Sequence, residues 1–174
     1  MNRGEILTLG HSTRSWEEFC ALLSENRIQR VIDVRRFPGS RRFPHFGAAH
    51  LERQLRARGI EYVPLPELGG RRHTRQSADQ SYWRSAGFRA YAEYMQSEEF
   101  GRALGELIRL SSEKRSVILC AEAVPWRCHR NLIADALVTQ GMGVIHILGP
   151  GKTNAHELNP HARVTPEGAV IYLA

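Results

Sequence analysis

A chain of 174 residues, 42% hydrophobic, can bury one good core and is short for two, so a single domain over 1–174 is expected. The formal charge of +6 comes from arginine, because Lys114 and Lys152 are the only lysines; such a surplus suits an anionic partner, nucleic acid or a phosphorylated small molecule, or simply a solvated surface. Three cysteines form no disulfide framework, Met1 leads directly into a strand-like run, and no apolar stretch nears a membrane span, so the expectation is a soluble, reduced, cytoplasmic protein with no membrane partner.

In chain order, Ile6-Leu7-Thr8-Leu9 reads as a buried strand ending at Gly10-His11-Ser12. Ser15 followed three residues later by Glu18 has the capping-box spacing and opens an amphipathic helix to about Glu25. Val31-Ile32-Asp33-Val34 is a second strand, stopped by an Arg/Pro/Gly-rich loop. A helix from about Ala48 to Arg58 ends at Gly59, and Ile60 to Val63 form a third strand. Residues 64–86 are rich in Pro, Gly, Arg and Ser with little periodicity, which marks a candidate lid or binding loop. Helical patterns at Gly87–Gln96 and Glu98–Leu110 follow. A strand at Val117–Cys120, a helix at Cys128–Gln140 and a strand at Val144–Leu148 complete the series. Arg163-Val164 and Ala169 to Tyr172 allow a C-terminal edge hairpin. Strands alternating with helices predict an α/β fold, Rossmann-like, with a mostly parallel sheet of about five strands and helices on both faces. Ligands of such sheets bind beyond the carboxyl ends of the strands, so the loops after strands one to four are the places to search.

The segment Cys120 to Arg130 is the richest of these loops. Alternation along the strand points Cys120 and Glu122 to one side if the extended conformation persists, which makes Glu122 a general acid, base or nucleophile, or else a partner of Arg127 or Arg130. Cys128 falls in the first helical turn beside His129 and Arg130, which favours a thiolate; the plainer reading is a small packed residue. A zinc set of Cys120, Cys128 and His129 lacks paired-ligand spacing and would need adjacent residues on one ion, so neither metal nor cofactor is expected.

After strand two, Arg-Arg-Phe-Pro occurs twice, six residues apart, within Asp33 to Phe46. Guanidinium groups contact phosphate and phenyl rings stack on bases, so Arg35, oriented by Asp33, together with Arg41, Arg42 and Phe43, is a candidate binding set. The alternative is that Phe37, Phe43 and Phe46 pack the loop onto the body. After strand one, His11, Ser12 and Arg14 offer a weaker anion cradle. After strand three, Glu67 and Arg71 lie in Leu65-Pro66-Glu67-Leu68-Gly69-Gly70-Arg71-Arg72. Glu67 could divide acid and base work with Glu122 if the two face each other.

Together, Gly10 to Arg14, Asp33-Val34-Arg35 with Pro38 and Ser40-Arg41-Arg42, Leu65 to Gly70, Cys120-Ala121-Glu122 and Cys128-His129-Arg130 resemble the domain of unknown function 488 family. The resemblance runs from Leu7 to about Arg163. It implies a compact α/β fold and brings no established reaction, so the residues must carry the functional expectation. That expectation is an enzyme acting on nucleic acid or a nucleotide, most concretely an N-glycosidic hydrolase of DNA glycosylase type with Glu122 as catalytic carboxylate. The alternatives are a thiol enzyme using Cys128 on a small anionic substrate, and a non-catalytic nucleic-acid-binding module.

Overall fold

The structure is a computed structural model in which residues 4–39, 42–70 and 82–174 are described. Strands β1 (Glu5–Gly10), β2 (Arg30–Asp33), β3 (Glu61–Pro64), β4 (Ser116–Cys120), β5 (Gly143–Gly149) and β6 (Lys152–Ala155) form one sheet in the order β3-β2-β4-β1-β5-β6. The first five run parallel, and β6 returns antiparallel to β5. Helices α1 (Trp16–Glu25), α2 (Ala48–Ala57), α3 (Ala86–Tyr94), α4 (Glu98–Glu113) and α5 (Arg130–Thr139) connect them.

Strand alternation assigns each helix to a face. Leu7, Leu9, Val31, Val117 and Leu119 point to one side and pack on Phe19 and Leu23 of α1 and on Leu51 and Leu55 of α2. Ile6, Ile32, Ile118 and Cys120 point to the other, onto α3, α4 and α5. Being covered on both faces, the central strands β1, β2 and β4 read as mainly apolar runs.

Local signals hold where they are strongest. Ser15 Oγ accepts the Glu18 amide at 3.1 Å, and the Ser15 amide donates to Glu18 Oε1 at 3.0 Å. Gly59 takes φ +75° at the end of α2, a conformation that costs glycine nothing.

The α/β fold with a mostly parallel sheet is the one expected, and three details differ. The sheet has six strands, because the exposed polar run Lys152-Thr153-Asn154-Ala155 carries no hydrophobic alternation; its only signal is the turn dipeptide Pro150-Gly151 before it. The C-terminal hairpin, β7 (Ala162–Val164) with β8 (Val170–Tyr172), forms but is a separate two-stranded sheet. It packs against the helical layer through Val170 and Tyr172. Finally, α5 starts at Arg130, so Cys128 lies ahead of the helix, just after a single 3₁₀ turn at Pro125–Arg127. Of the 64–86 stretch, residues 71–81 lie outside the described residues. Its near end is β3 and a second 3₁₀ turn at Pro66–Leu68.

Candidate functional site

Strands β1 and β4 end level, at Gly10 and Cys120, and β2 ends one residue short of them, at Asp33. From β2 the chain leaves over the α1/α2 face toward β3, and from β4 it leaves over the opposite face toward β5. The loops therefore part above the β2/β4 pair and open a crevice at the switch point. The loops after β2, β3 and β4 each contain a 3₁₀ turn with proline at its first position, at Pro44, Pro66 and Pro125. Proline fixes φ and surrenders an amide that the first turn would leave unpaired, so it stiffens each loop at little cost.

Glycines let these loops touch. A Cβ at Gly10 would lie 1.5 Å from the Glu122 carbonyl oxygen, so the β4 loop can cross the end of β1 only over glycine. The His11 and Ser12 amides donate to the Cys120 and Ala121 carbonyls, each at 2.9 Å. From beneath, the fully buried Arg130 guanidinium donates to the Glu122 carbonyl at 2.6 Å and to that of Ala123 at 3.0 Å. A Cβ at Gly69 would come within 2.5 Å of Arg36, and one at Gly70 within 3.0 Å of the His129 ring, which explains the paired glycines after Leu68.

The crevice has two lobes. One, of about 260 Å³, is lined by Arg35, Arg36 and Phe37 from the β2 loop, by Glu122 and Arg127 from the β4 loop, and by Cys128 and His129. The other, of about 380 Å³, is lined by His11, Ser12, Arg42 and Phe43. Arg35, Phe37, Ala121 and Glu122 line both.

Arg35 is aimed by a buried carboxylate. Its Nε and Nη2 donate to Asp33 at 2.9 and 2.8 Å, and Tyr62 Oη donates to the same Asp33 at 2.6 Å. Burial alone would lower the Arg35 pKa, but the hydrogen bonds and charge of Asp33 outweigh it and raise it, so the guanidinium is a fixed cation. Burial, with the Asp33 charge behind it, pushes the Tyr62 phenol up, which keeps it a donor. His11 stacks on Phe46 at 4.4 Å between ring centroids and donates from Nδ1 to the Ser12 carbonyl at 2.9 Å. With the carbonyl as partner the nitrogen must donate; burial lowers the ring's pKa, so it is neutral at pH 7.

The sulfurs form a second constellation. Cys128 Sγ lies 3.7 Å from His129 Nδ1 and accepts the Arg130 amide at 3.5 Å. A hydrogen bond from the Cys120 thiol is the largest influence on Cys128 and, against burial, lowers its pKa well below the thiol value; burial first, then Cys128, raises that of Cys120. The two neighbouring sulfurs are thus pushed in opposite directions, down at Cys128 and up at Cys120.

The expected site residues divide accordingly. Asp33, Arg35, Arg42, Phe43, His11, Ser12, Glu122, Cys128 and His129 come together around the crevice. Three others sit elsewhere. Arg14 donates to the Gly10 and Leu148 carbonyls and ties β1 to β5, Arg130 braces the loop from within, and Glu67 sits on its exposed turn lining neither lobe. Arg41 and Arg71 lie outside the described residues. Cys120 and Glu122 do not share an environment, because β4 ends at Cys120, which is buried, and Glu122 is exposed on the following bend.

Of the three loop phenylalanines, Phe46 is wholly buried, Phe43 is partly buried, and Phe37 is 62% exposed with Arg36 over its ring at 5.3 Å. Sequence reasoning gave no role to Trp126, also 62% exposed on the Pro125–Arg127 turn, or to Tyr62. A bulky ring inside a charged loop was the available signal for Trp126. For Tyr62 there was none, since its partner is 29 positions away.

No helix among the described residues is long and apolar enough to cross a membrane. Comparison with curated proteins gave no match, and comparison with solved structures gave none. The family model described as "Domain of unknown function DUF488" matches residues 15–137 of the 174, spanning both crevice-forming loops, and the chain belongs to that family.

Proposed function

We propose that the protein is an enzyme acting on nucleic acid or a nucleotide, most concretely a cytoplasmic DNA repair hydrolase that cleaves an N-glycosidic bond. The observation that carries this reading is the position of Glu122, a carboxylate on the wall common to both lobes, with Arg35 and the exposed Phe37 as its shared neighbours. Arg35, Arg36, Arg42 and Arg127 supply charge for phosphates on either side, and Phe37 offers a face on which a displaced base can stack. Cleavage breaks the bond from C1′ to the base, and the electron pair leaves with the base nitrogen, which takes up a proton. The sugar becomes cationic in the transition state, where a nearby carboxylate is most stabilising. Glu122 then accepts a proton from the water that adds to C1′.

The test is binding and turnover on fluorescent DNA carrying intact or damaged bases, as a function of salt. Arg35→Ala should weaken binding and reduce the salt slope by about 1. Glu122→Gln should keep binding and lose base release by about 10²–10⁴-fold. Binding without any reaction at Glu122 would leave a non-catalytic binding module, and no binding to DNA or RNA at low salt would sink the reading. A thiol nucleophile at Cys128 has less support: its sulfur is 5% exposed at the residue level and already engaged by Cys120, His129 and the Arg130 amide. Alkylation no faster than that of a free model thiol would remove that alternative.

A further inference from the structure

Cys120, Cys128 and His129 put two sulfurs and an imidazole nitrogen within 4.8 Å of one another, the only group of three such donors among the described residues. We infer that these three side chains form a binding site for a thiophilic divalent ion, zinc by type, whose fourth position opens on the lobe that Glu122 lines.

Donor type is the first reason. Two thiolates and an imidazole are soft and borderline ligands that select zinc over magnesium or calcium, and three protein ligands with one open position is the arrangement of zinc sites that act on a substrate. Geometry is the second. With zinc–sulfur bonds of about 2.3 Å and zinc–nitrogen bonds of about 2.1 Å, the sulfur–nitrogen edge of a tetrahedron is about 3.6 Å. Cys128 Sγ and His129 Nδ1 stand 3.7 Å apart. The whole set spans at most 4.8 Å, so closing it on an ion takes side-chain adjustment of the order of 1 Å rather than a refolded loop.

Availability is the third reason. Among the described residues, His129 Nδ1 has only the Cys128 sulfur as hydrogen-bond partner, and the buried Nε2 has none. No carbonyl or carboxylate of the described residues has claimed the ring. Access is the fourth: Cys128 and His129 line the 260 Å³ lobe, and Cys120 closes the set from the core side. A water or a donor atom of the substrate would complete the tetrahedron in a cavity that Glu122 shares.

The strand-end position of Cys120 and the 3₁₀ turn at Pro125–Arg127 are what make this set possible. The seven-residue excursion between the two cysteines returns the chain to its starting point, so spacing that looks wrong in sequence is right in space.

The site goes beyond the glycosidic reading and is tested on the metal alone. Reduced, chelator-stripped full-length protein would be titrated with zinc against a chromophoric chelator, and with cobalt while recording absorption. One zinc per chain is expected, with cobalt giving a near-ultraviolet thiolate charge-transfer band and visible bands of tetrahedral strength. Cys128→Ser and His129→Ala should each weaken zinc binding at least 10-fold, while Cys20→Ser, in α1 on the opposite face, leaves it unchanged. Circular dichroism of each variant separates lost ligation from lost folding. A folded parent that takes up no zinc, or folded Cys128→Ser and His129→Ala proteins that take it up as tightly as the parent, would overturn the assignment. Neither result depends on whether any nucleic acid is bound or cleaved.

Discussion

Two buried aspartates organise polar clusters on this sheet with the same chemistry and different outcomes. Asp33, at the end of β2, takes a tyrosine hydroxyl from Tyr62 and a cation from Arg35, and the free side of that cation faces the crevice. Asp135, on α5, takes the Tyr172 hydroxyl at 2.7 Å and His156 Nε2 at 2.7 Å. His156 Nδ1 meets His146 at 2.9 Å, and His146 meets Thr8 at 2.6 Å. That second chain ends on protein at both ends, at Tyr172 and Thr8, and pins the C-terminal hairpin to the body. Each Asp is 1% exposed, so burial alone does not distinguish a site from a staple. What distinguishes them is whether the last donor in the network meets protein or an open cavity.

The sharpest way to break the comparison is Asp135→Asn. It leaves the Tyr172 and His156 donors with a poorer partner in a dry interior, and a loss of about 3 kcal/mol is expected in urea unfolding. Low-salt DNA binding should be unchanged; binding that falls while the fold persists would mean the two regions are coupled.

Next in size is an acid effect on the same chain. Burial first, then His156, lowers the His146 pKa from 6.5 to about 3, so the native state holds the ring neutral where the unfolded chain protonates it. Its stability contribution is full above about pH 6.5 and falls as pH drops through that window, by at most about 1.4 kcal/mol per unit. Urea midpoints between pH 6.5 and 5 should fall more steeply for the parent than for His146→Gln. Equal slopes would show that this histidine is not held neutral.

On the crevice side, Phe37→Ala should cost about 1–3 kcal/mol of affinity for single-stranded DNA through lost stacking, with the melting temperature unmoved because the ring is exposed. The smallest effect is expected of Tyr62→Phe, which removes one hydrogen bond to Asp33 and loosens Arg35. About 1 kcal/mol is predicted, divided between affinity and stability. If it moved stability alone, Asp33 and Arg35 would be a staple as well.

The fold was readable from the sequence wherever a signal was local. Short, mainly apolar runs at Ile6–Leu9, Val31–Val34 and Val117–Cys120, interrupted only by Thr8 and Asp33, read as strands covered on both faces, and Ser15 with Glu18 starts a helix by satisfying its own amides. β6 escaped because an edge strand with four exposed residues has no apolar pattern to read.

Within the site, residue types and their loops were determined by sequence, since strand ends of a parallel sheet converge on one edge. Their roles were not. Arg35 and Arg130 look alike in sequence, yet one is aimed at the cavity by Asp33 and the other is spent on the carbonyls of Glu122 and Ala123. Phe37 and Phe46 look alike too, and one is exposed while the other is core. Cys120, Cys128 and His129 fit no ligand spacing until the β4 loop folds back on itself over Gly10. The sequence by itself determined the alternation of strand and helix, the parallel sheet and the chemical inventory of its loops, because these follow from periodicity and short-range hydrogen bonding. Only the tertiary structure decided which arginine faces the cavity, which ring is free to stack and which donors share a point in space, because those depend on contacts between segments far apart in the chain.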